Sequence, residues 1–453
     1  MELLPRTIDA TLATPYGEAA YGVVEALLDA GYDAWWVGGA VRDMALGSVP
    51  TDIDIGTDAR PHDILSLFPG SREATSGLGS MLVPWKKRWS FELTTFREDD
   101  EASDGRHPEA VVFADRVRDA ARRDFTVNAI YFQPISREVY DPYGGLLDLK
   151  ERLIRFIGEP GIRIRHDALR ILRAVRFRAL IEGQYHPETY RALQELASLV
   201  EHLSGSRQRT ELEKMLAGPR PDVALEDLWE LRALQYMLPE LAACKGIAQP
   251  KDYHREGDVW EHTKRCVAAC TPEDTADLRL AALFHDCGKA VTFSLQERIR
   301  FDHHAEESAR LAAGALDRLH CPAKRRDKIC WLIAHHMMMA SFQEMPEARK
   351  GHWYYHPWFP ELLRLFVVDI EGTTPSSTVL YDAIVRDYNA YLDAHPRPEK
   401  PLLSGEDIME ILGLAPGARV GEVLSLLRER QQSKQVTTRR EAIAFLETMR
   451  SEA

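Results

Sequence analysis

The pattern of hydrophobic and polar positions changes its character once along the 453-residue chain, near residue 146. Before that point, short apolar runs alternate with glycine turns and polar stretches, a pattern typical of strands mixed with helices. Residues 1–20 are expected to be irregular. The predicted elements are a helix over 21–30, a strand and a short helix around Gly38-Gly39, a strand in TDIDIG (51–56), a helix over 59–68, a hairpin over 80–97, and a helix leading into a strand over 123–132.

After residue 146 the apolar positions follow a helical period, with arginines interleaved over 166–183. Helices are predicted to continue over 200–245 and 254–375, followed by a proline-rich connector at 395–405 and a helical tail. We therefore predict an α+β fold class: an α/β head with a mixed sheet, then an all-helical remainder. The predicted domains are a head (1–145), a helical neck (146–245), a histidine-rich helical body (246–375) and a helical tail (376–453).

Composition argues against a membrane protein, a secreted protein and a protein built on disulfides or zinc. No stretch approaches the roughly 18–20 uninterrupted apolar residues of a membrane span, and the N-terminal residues lack a signal-peptide layout. We therefore expect a cytoplasmic protein without membrane contact. The six cysteines form no CxxC pair, so neither a disulfide nor a zinc framework is expected. The net charge of −13 argues against nonspecific nucleic-acid binding by the chain as a whole.

One segment departs from that overall charge. Between Lys150 and Arg178 there are nine basic residues against three acidic ones. Such a run is often a solvated helix face whose charges are paired. Because this run adjoins a candidate catalytic segment, we favour a surface for polyphosphate or RNA.

Two carboxylates two residues apart form the first candidate site. Residues i and i+2 of a strand point to the same side, so Asp52 and Asp54 present their carboxylates together. Glu92, in the second strand of the predicted hairpin, offers a third. Clustered acids are the ligands that Mg²⁺ prefers, and metal ions are what nucleotidyl transfer requires.

The glycine turn before the short helix forms the other half of this site. Gly38 and Gly39 let a triphosphate approach the backbone, and Arg42 adds positive charge one turn later. Taken singly, a DxD pair is usually a surface turn and a Gly-Gly turn is common. Their combination with RRDFTVNAI (122–130) is far more specific.

These segments resemble successive motifs of the class II tRNA nucleotidyltransferases and bacterial poly(A) polymerases. The resemblance covers about residues 30–215, is weaker through the C-terminal half, and rests on GGAVRDMALG, TDIDIG, ELTTFR, DGRHP, RRDFTVNAI, DPYGGLLDLKERLIRFIG and DALRILRAVRF. It implies that Asp52 and Asp54 bind the catalytic metal, with Glu92 as the third acid. It further implies a set of residues that bind the nucleotide: Gly38, Gly39, Arg42, Arg123, Asp124, Asn128, Asp167, Arg170, Arg173 and Arg176.

Within that set, Asp167 and Arg170 match the pair that selects C or A without a nucleic-acid template. An aspartate and an arginine offer the acceptors and donors needed to read a base edge, and a helical spacing of three would place them on one face. Two positions depart from the family. His166 replaces a glutamate thought to orient this pair, and Ser206 replaces an acid in SGSRQRTEL (204–212).

The resemblance implies a template-independent enzyme that adds C, C and A to the tRNA 3′ end from CTP and ATP, with Mg²⁺ in the head and no obligatory protein partner. An A-adding enzyme or a poly(A) polymerase is the alternative. A CC-only enzyme is disfavoured, since residues 98–121 keep a long loop. Alternatives of other classes are a nucleotide phosphohydrolase and a noncatalytic RNA-binding protein.

The histidine-rich body carries a second candidate site. Its spacing of His262, His285-Asp286 and Asp369 resembles the H…HD…D pattern of the HD phosphohydrolase superfamily. The resemblance implies a divalent metal, with a transition metal among the candidates, and His304 and His336 could complete a two-metal site. Histidines on helices are also often core residues. A hydrolase acting on a phosphomonoester or a 2′,3′-cyclic phosphate is therefore a hypothesis.

Overall fold

The computed structural model describes residues 5–75, 79–98, 112–250, 254–295, 297–395, 401–432 and 435–451. These residues divide into two compact units. The first comprises 1–336 and 368–376, and the second comprises 337–367 and 377–453. Most of the long loop discussed above, residues 99–111, lies outside the described ranges.

A mixed seven-stranded sheet forms the centre of the head, as the sequence predicted. Its strands are β1 (Ala34–Val37), β2 (Asp54–Thr57), β3 (Arg72–Thr75), β4 (Ser80–Trp85), β5 (Trp89–Thr95), β8 (Tyr131–Phe132) and β9 (Val139–Tyr140). The strand order is β3-β4-β5-β2-β1-β8-β9. Strand β2 runs parallel to β5 and antiparallel to β1, so the predicted α+β class is confirmed.

Burial explains why these segments pair. All four residues of β1 are buried, which is typical of a central strand. In the predicted hairpin, β4 and β5 pair antiparallel from Ser80↔Thr94 to Trp85↔Trp89. Two further short strands, β6 (Arg97–Glu98) and β7 (Val112–Phe113), pair with each other beside the sheet.

The head helices are α1 (Pro5–Leu12), α2 (Pro15–Asp29), α3 (Gly39–Ala45), α4 (Pro61–Leu67), α5 (Arg116–Arg122) and α6 (Gly145–Lys150). The expectation that residues 1–20 are irregular was wrong, because α1 and the first six residues of α2 lie within them. The missed signal is Thr14-Pro15: the Thr14 hydroxyl accepts a hydrogen bond from the Gly17 N–H at 2.9 Å and Pro15 opens the helix. The predicted helix at Arg123 was also wrong, since α5 ends at Arg122 and only a 3₁₀ turn, Thr126–Asn128, follows.

The neck contains α7 (Pro160–His166), α8 (Leu169–Leu180), α9 (Pro187–Glu195), the 3₁₀ helix Ala197–His202, α10 (Gly205–Leu216), α11 (Pro221–Glu230), α12 (Leu234–Met237) and α13 (Pro239–Ala242). A small parallel pair, β10 (Leu153–Ile154) with β11 (Gln184–Tyr185), lies within it. The prediction that Asp167 and Arg170 share one helix face was wrong. Asp167 is extended (φ −148°, ψ 104°) between α7 and α8, and its side chain accepts from the Leu169 N–H at 3.1 Å.

The histidine-rich body of the first unit is built from α14 (Val259–Ala268), α15 (Ala276–Phe284), α16 (Lys289–Thr292), α17 (His304–Arg318) and α18 (Ala323–His335). A short hairpin that the sequence did not predict, β12 (Phe293–Leu295) with β13 (Ile299–Phe301), precedes α17. Helix α20 (Phe359–Gly372) supplies Asp369 to this unit.

The second unit contains most of the 3₁₀ helix His336–Glu344, together with α19 (Glu347–Tyr354), the first part of α20, α21 (Val379–Ala394), α22 (Gly405–Leu412), α23 (Ala418–Gln432) and α24 (Arg439–Ser451). The last three helices share a core of Leu403, Ile408, Val423, Leu427, Val436, Ala442 and Leu446. Within the described ranges, every helix is too short or too polar to serve as a membrane-spanning segment.

Candidate functional sites

Three acidic side chains gather at the start of β2. Asp52 and Asp54 are exposed while Ile53 between them is buried, so the predicted alternation places both carboxylates on one side. Glu92 is exposed on β5, and the parallel register Ile55↔Leu93 puts it beside Asp54. Although Asp54 is partly open to solvent, desolvation by the surrounding protein, together with the charges of Asp52 and Glu92, raises its pKa to about 6.

The predicted glycine turn lies at the end of the neighbouring strand β1. Gly38 has φ +63° and ψ −114°, a conformation that favours glycine. Its N–H donates to the Ile130 carbonyl at 3.2 Å. A Cβ at Gly38 would lie 3.2 Å from Nη1 of Arg123. The positive charge of Arg123 lowers the pKa of Asp54 against the larger effects above, so this guanidinium lies within reach of both the turn and the acids.

The Arg123 side chain is held in place by hydrogen bonds to two residues that the sequence did not indicate. Its Nε donates to the Tyr131 hydroxyl at 2.9 Å and to Asp119 at 3.2 Å. Asp119 is 1% exposed and also accepts from the Tyr131 hydroxyl at 2.8 Å. Asp119 lies four residues before Arg123 on α5, but no sequence signal identified Tyr131 as a partner.

A buried chain of polar contacts connects the glycine turn to the neck. Arg42 Nη1 donates to Asn128 Oδ1 at 3.0 Å, and Asn128 Nδ2 donates to Asp124 Oδ1 at 3.0 Å. Asp124 Oδ2 accepts from Arg173 Nε on α8 at 2.6 Å. Although burial opposes ionisation, the charge of Arg173 holds the pKa of Asp124 below its usual range. Four predicted nucleotide-binding residues thus form one structural network.

The residue predicted to read the base faces a cavity in the neck. Asp167 accepts two hydrogen bonds from Nη2 of Arg207, at 2.8 and 3.0 Å. The cavity measures about 280 Å³ and is lined by Arg165, His166, Asp167, Ala168, Leu199, His202, Leu203 and Arg207. Arg170 does not line it; its Nη1 donates to the Arg163 carbonyl at 2.7 Å. The structure therefore brings Asp167 together with Arg207 at this cavity.

Four of the eight arginines in the basic run pair with acidic residues from outside the run. Arg173 and Arg176 hold Asp124 and Glu211, at 2.6 and 2.7 Å. Arg155 and Arg178 pair with Asp148 and Asp227. The charge surplus counted along the sequence is therefore largely neutralised in the fold. Phe177 lies at the centre, with the guanidinium carbons of Arg42, Arg173 and Arg176 at 5.2, 5.2 and 4.1 Å from its ring centroid.

The predicted H…HD…D residues converge in the body of the first unit. Nε2 of His262 lies 3.0 Å from Asp369 Oδ1 and 3.3 Å from Nε2 of His285. Asp286 Oδ2 lies 3.4 Å from Nε2 of His285. His262, His285 and Asp286 are each at most 2% exposed, so donor atoms from two helices, α14 and α20, and from the loop after α15 meet in a nearly closed interior.

The other oxygen of Asp286 faces a second group. Oδ1 lies 3.4 Å from Nε2 of His304 and 3.8 Å from Nε2 of His336. Within the described part of the chain, neither Asp286 Oδ1 nor His304 Nε2 has a hydrogen-bond partner, although both atoms are buried. Buried polar atoms without partners are costly, and a bound cation would satisfy both of these atoms. These donor sets fit divalent cations, with Asp286 between them.

Protonation compensates the negative charge when no cation does so. Although burial disfavours the imidazolium, Asp286 and Asp369 raise the pKa of His285 to about 10. Lys289 Nζ donates to Asp286 Oδ2 at 2.6 Å. Burial and the nearby His285 lower the pKa of His336 to about 4. Glu256, which the sequence analysis did not identify, lies 3.1 Å from Nδ1 of His262 through its Oε1.

Three known families match successive parts of the chain. The "Poly A polymerase head domain" matches residues 34–155. The "Probable RNA and SrmB- binding site of polymerase A" matches residues 184–245. The "HD domain" matches residues 257–366. Nucleotidyltransferase head and HD domains imply the use of divalent metals.

Two relatives align over nearly the whole chain. The CC-adding tRNA nucleotidyltransferase of Thermus thermophilus is 33% identical over 91% of this chain and 93% of its own length. The A-adding tRNA nucleotidyltransferase of Deinococcus radiodurans is 32% identical over 91% and 94%. The alignment with the CCA-adding enzyme of Geobacillus stearothermophilus is 41% identical but spans 50% of this chain and 56% of that enzyme. The alignments with two other Geobacillus CCA-adding enzymes span 61% and 65% of the length of those enzymes. The chain therefore matches less than two thirds of these CCA-adding relatives.

A solved structure extends the likeness in three dimensions. A CCA-adding enzyme of Bacillus stearothermophilus in complex with CTP is 27% identical, covers 97% of this chain and 98% of its own, and gives a TM-score of 0.63. A Thermotoga maritima CCA-adding enzyme complexed with tRNA, 18% identical with a TM-score of 0.56, shares the fold.

Proposed function

Since the chain belongs to the tRNA nucleotidyltransferase family, we propose that it transfers nucleotides from CTP and ATP to the 3′ end of tRNA and releases pyrophosphate. The observation that carries this proposal is the meeting of Asp52, Asp54 and Glu92 beside Arg123 and the Gly38 turn. The solved relative in complex with CTP supports a nucleoside triphosphate as the substrate.

The three carboxylates would hold Mg²⁺, which supplies charge neutralisation at the attacking and leaving oxygens. Arg123 would pair with the triphosphate, since its guanidinium is anchored by Asp119 and Tyr131 and borders the turn. The open backbone at Gly38 would let the phosphates approach. These residues would thus hold the triphosphate in place for attack by the tRNA 3′-hydroxyl on its α-phosphorus.

Base selection is assigned to the cavity at Asp167. The carboxylate offers acceptors to an exocyclic amino group, and the Arg207 guanidinium offers donors. Cytosine and adenine both carry an amino group next to a ring-nitrogen acceptor, so one such pair can read either base. The buried network that connects the glycine turn to α8 would position the cavity relative to the triphosphate. Its members are Arg42, Asn128, Asp124 and Arg173. Arg170 and Arg176 remain proposed nucleotide ligands. To bind a nucleotide, Arg170 would have to leave the Arg163 carbonyl and Arg176 would have to leave Glu211.

We infer addition of the full C, C, A sequence. A-only addition is the alternative, supported by the A-adding relative that aligns over nearly the whole chain. The full-length CC-adding relative supports a third outcome, which the loop length disfavours. We propose that the reaction takes place in the cytoplasm and that the neck and tail hold the tRNA by its backbone and shape.

The test offers the purified protein tRNA lacking its last three nucleotides, tRNA ending in C74 and C75, and intact tRNA, with CTP and ATP singly and together. Sequential addition of C, C and A supports the proposal. Growth only of the tRNA that already ends in CC identifies an A-adding enzyme, and growth that stops after two C residues identifies a CC-adding enzyme. Loss of triphosphate without extension contradicts nucleotidyl transfer.

A second activity is proposed for the body of the first unit: hydrolysis of a phosphomonoester or a 2′,3′-cyclic phosphate. The buried partnerless atoms Asp286 Oδ1 and His304 Nε2 favour it. The double variant His285→Ala/Asp286→Ala should lose bound metal and hydrolysis while retaining tRNA extension. Metal content equal to that of the wild-type protein would remove this proposal and leave the head activity untouched.

A further inference from the structure

A cysteine lies within the histidine cluster and is not part of the H…HD…D pattern. Cys266 follows His262 by one turn of α14, and both side chains are fully buried. The Cys266 sulfur lies 3.4 Å from Nε2 of His262, the ring nitrogen that faces Asp369 and His285. One helix therefore supplies two adjacent donors to the same interior point.

These donors lie close enough together to share a single four-coordinate ion. Around His262 Nε2, Asp369 Oδ1, His285 Nε2 and the sulfur lie at 3.0, 3.3 and 3.4 Å, and His285 Nε2 lies 3.7 Å from Asp369 Oδ1. All four atoms lie within 4.8 Å of one another. Ligands held about 2.0–2.3 Å from a tetrahedral ion are separated by roughly 3.3–3.8 Å.

The neighbouring helix leaves room for the sulfur. Gly372 lies on α20 one turn after Asp369, and a Cβ on Gly372 would lie only 2.3 Å from the Cys266 sulfur. A glycine at position 372 therefore avoids a clash that any larger residue would make with the Cys266 sulfur. The sulfur can then occupy the space between α14 and α20, beside the Asp369 carboxylate.

We propose that Cys266 is a metal ligand and that the centre formed with His262, His285 and Asp369 takes a thiophilic transition ion of the zinc class in preference to Mg²⁺. The thiol releases its proton to solvent when the ion binds, because the thiolate is the ligand. A sulfur donor favours zinc, cobalt or iron(II), whereas Mg²⁺ selects oxygen. The proposal rests on metal binding by the proposed hydrolase centre and not on nucleotidyl transfer.

The second donor group differs in a way that sharpens the proposal. Asp286, His304 and His336 contain no sulfur. An ion held there would have nitrogen and oxygen ligands only. Cys266 therefore distinguishes the two positions, and a sulfur signal reports specifically on the one that contains His262.

Cobalt(II) is the probe for the test. The metal-free full-length protein is titrated with cobalt(II) and its absorption spectrum is recorded, since a thiolate ligand gives an intense sulfur-to-cobalt charge-transfer band that oxygen and nitrogen ligands do not give. The wild-type protein and the matched control Cys270→Ser should show the band. Cys270 lies four residues later, half-buried, with its sulfur against the Cys266 carbonyl. Cys266→Ser should lack the band and, since a direct ligand is lost, should bind cobalt more weakly by at least the ~10–100-fold typical of losing an outer-shell partner.

Two results would overturn the proposal. Cobalt bound without the band in the wild-type protein shows a centre without sulfur, and so does an identical band in Cys266→Ser. If Cys266→Ser fails to fold, zinc-edge X-ray absorption of the wild-type protein decides: a sulfur neighbour at about 2.3 Å supports the ligand, and a shell of only nitrogen and oxygen refutes it. Extension of tRNA, measured on the same samples, reports separately on the head.

Discussion

Arg207 donates from Nη2 to both carboxylate oxygens of Asp167, at 2.8 and 3.0 Å. This pair joins the α7–α8 junction to α10, two segments 40 residues apart in the chain. Because the Leu169 N–H also donates to Asp167, the carboxylate is held in one orientation. An incoming base would therefore meet a preset acceptor and not a mobile side chain.

Removing Arg207 should impair the choice of base. In Arg207→Ala, the Asp167 carboxylate loses a charge-assisted partner worth about 1.5–3 kcal/mol, so we expect the ratio of kcat/KM for CTP to that for ATP to change by about tenfold or more. The ratio is measured on tRNA awaiting C and on tRNA awaiting A. Arg191→Ala, at an exposed position of α9, is the control. If the ratio of kcat/KM for CTP to that for ATP is unchanged in Arg207→Ala, the cavity at Asp167 does not select the base.

Asn128 is expected to matter for stability as well as for catalysis. Its side chain satisfies the buried Arg42 guanidinium and the buried Asp124 carboxylate. Asn128→Ala leaves both groups short of a partner and should lower the free energy of unfolding by about 1–3 kcal/mol, with slower incorporation. Denaturant unfolding measures the first effect. Asn389→Ala, an exposed asparagine of α21, should change neither quantity, and equal stability of the two variants would contradict the network.

Asp54 should lower stability in the absence of metal. Its pKa is raised from 3.8 to about 6, so the ionised carboxylate destabilises the fold above pH 6, and this effect vanishes as the pH falls below about 4. Asp54→Asn should therefore raise the free energy of unfolding at pH 8 by an amount on the order of 1 kcal/mol, after allowance for solvent screening. The melting temperature should rise accordingly at pH 8 and stay unchanged near pH 4.

The Asp54 comparison is made in the presence of a chelator, with the exposed Asp302→Asn variant as the control. Added Mg²⁺ should stabilise the wild-type protein and not Asp54→Asn. The variant should also lose nucleotide incorporation. A wild-type protein that is more stable than the variant at pH 8 without metal would show that the three acids do not repel one another.

Glu256 is expected to position a metal ligand. Its Oε1 lies 3.1 Å from His262 Nδ1, and its Oε2 accepts from the Thr374 N–H at 2.8 Å. A carboxylate on the far nitrogen fixes the ring and its tautomer, so Glu256→Gln should weaken metal binding by about 10–100-fold. Competition with a chromophoric chelator measures the affinity. Glu261→Gln, whose carboxylate pairs with Lys264 and Arg265 on α14, should retain full affinity.

Local patterns predicted the parts of the fold that depend on neighbouring residues. The alternation around Ile53 placed Asp52 and Asp54 on one side, and the apolar runs of β4 and β5 indicated the hairpin. The break at Asp167 was missed because apolar residues keep a helical period through it. An aspartate able to cap the following helix was the available signal.

Contacts between distant segments could not be read from the sequence. The basic run has a surplus of positive charge along the chain, but Glu211 and Asp227, which neutralise Arg176 and Arg178, come from later helices. Cys266 showed no metal-binding spacing with another cysteine. Its proximity to Asp369 depends on the packing of α14 against α20, which only the fold supplies.

The contact between Asp124 and Arg173 has a practical consequence for building chimeras from relatives with different nucleotide choices. A crossover placed at the predicted boundary near residue 146 would separate Asp124 from its guanidinium and leave a buried anion facing a foreign helix. A crossover after α8 keeps donor and acceptor from the same parent. Because Arg207 of α10 holds Asp167, swaps of specificity should exchange the head together with α7 through α10 as one transplantable block.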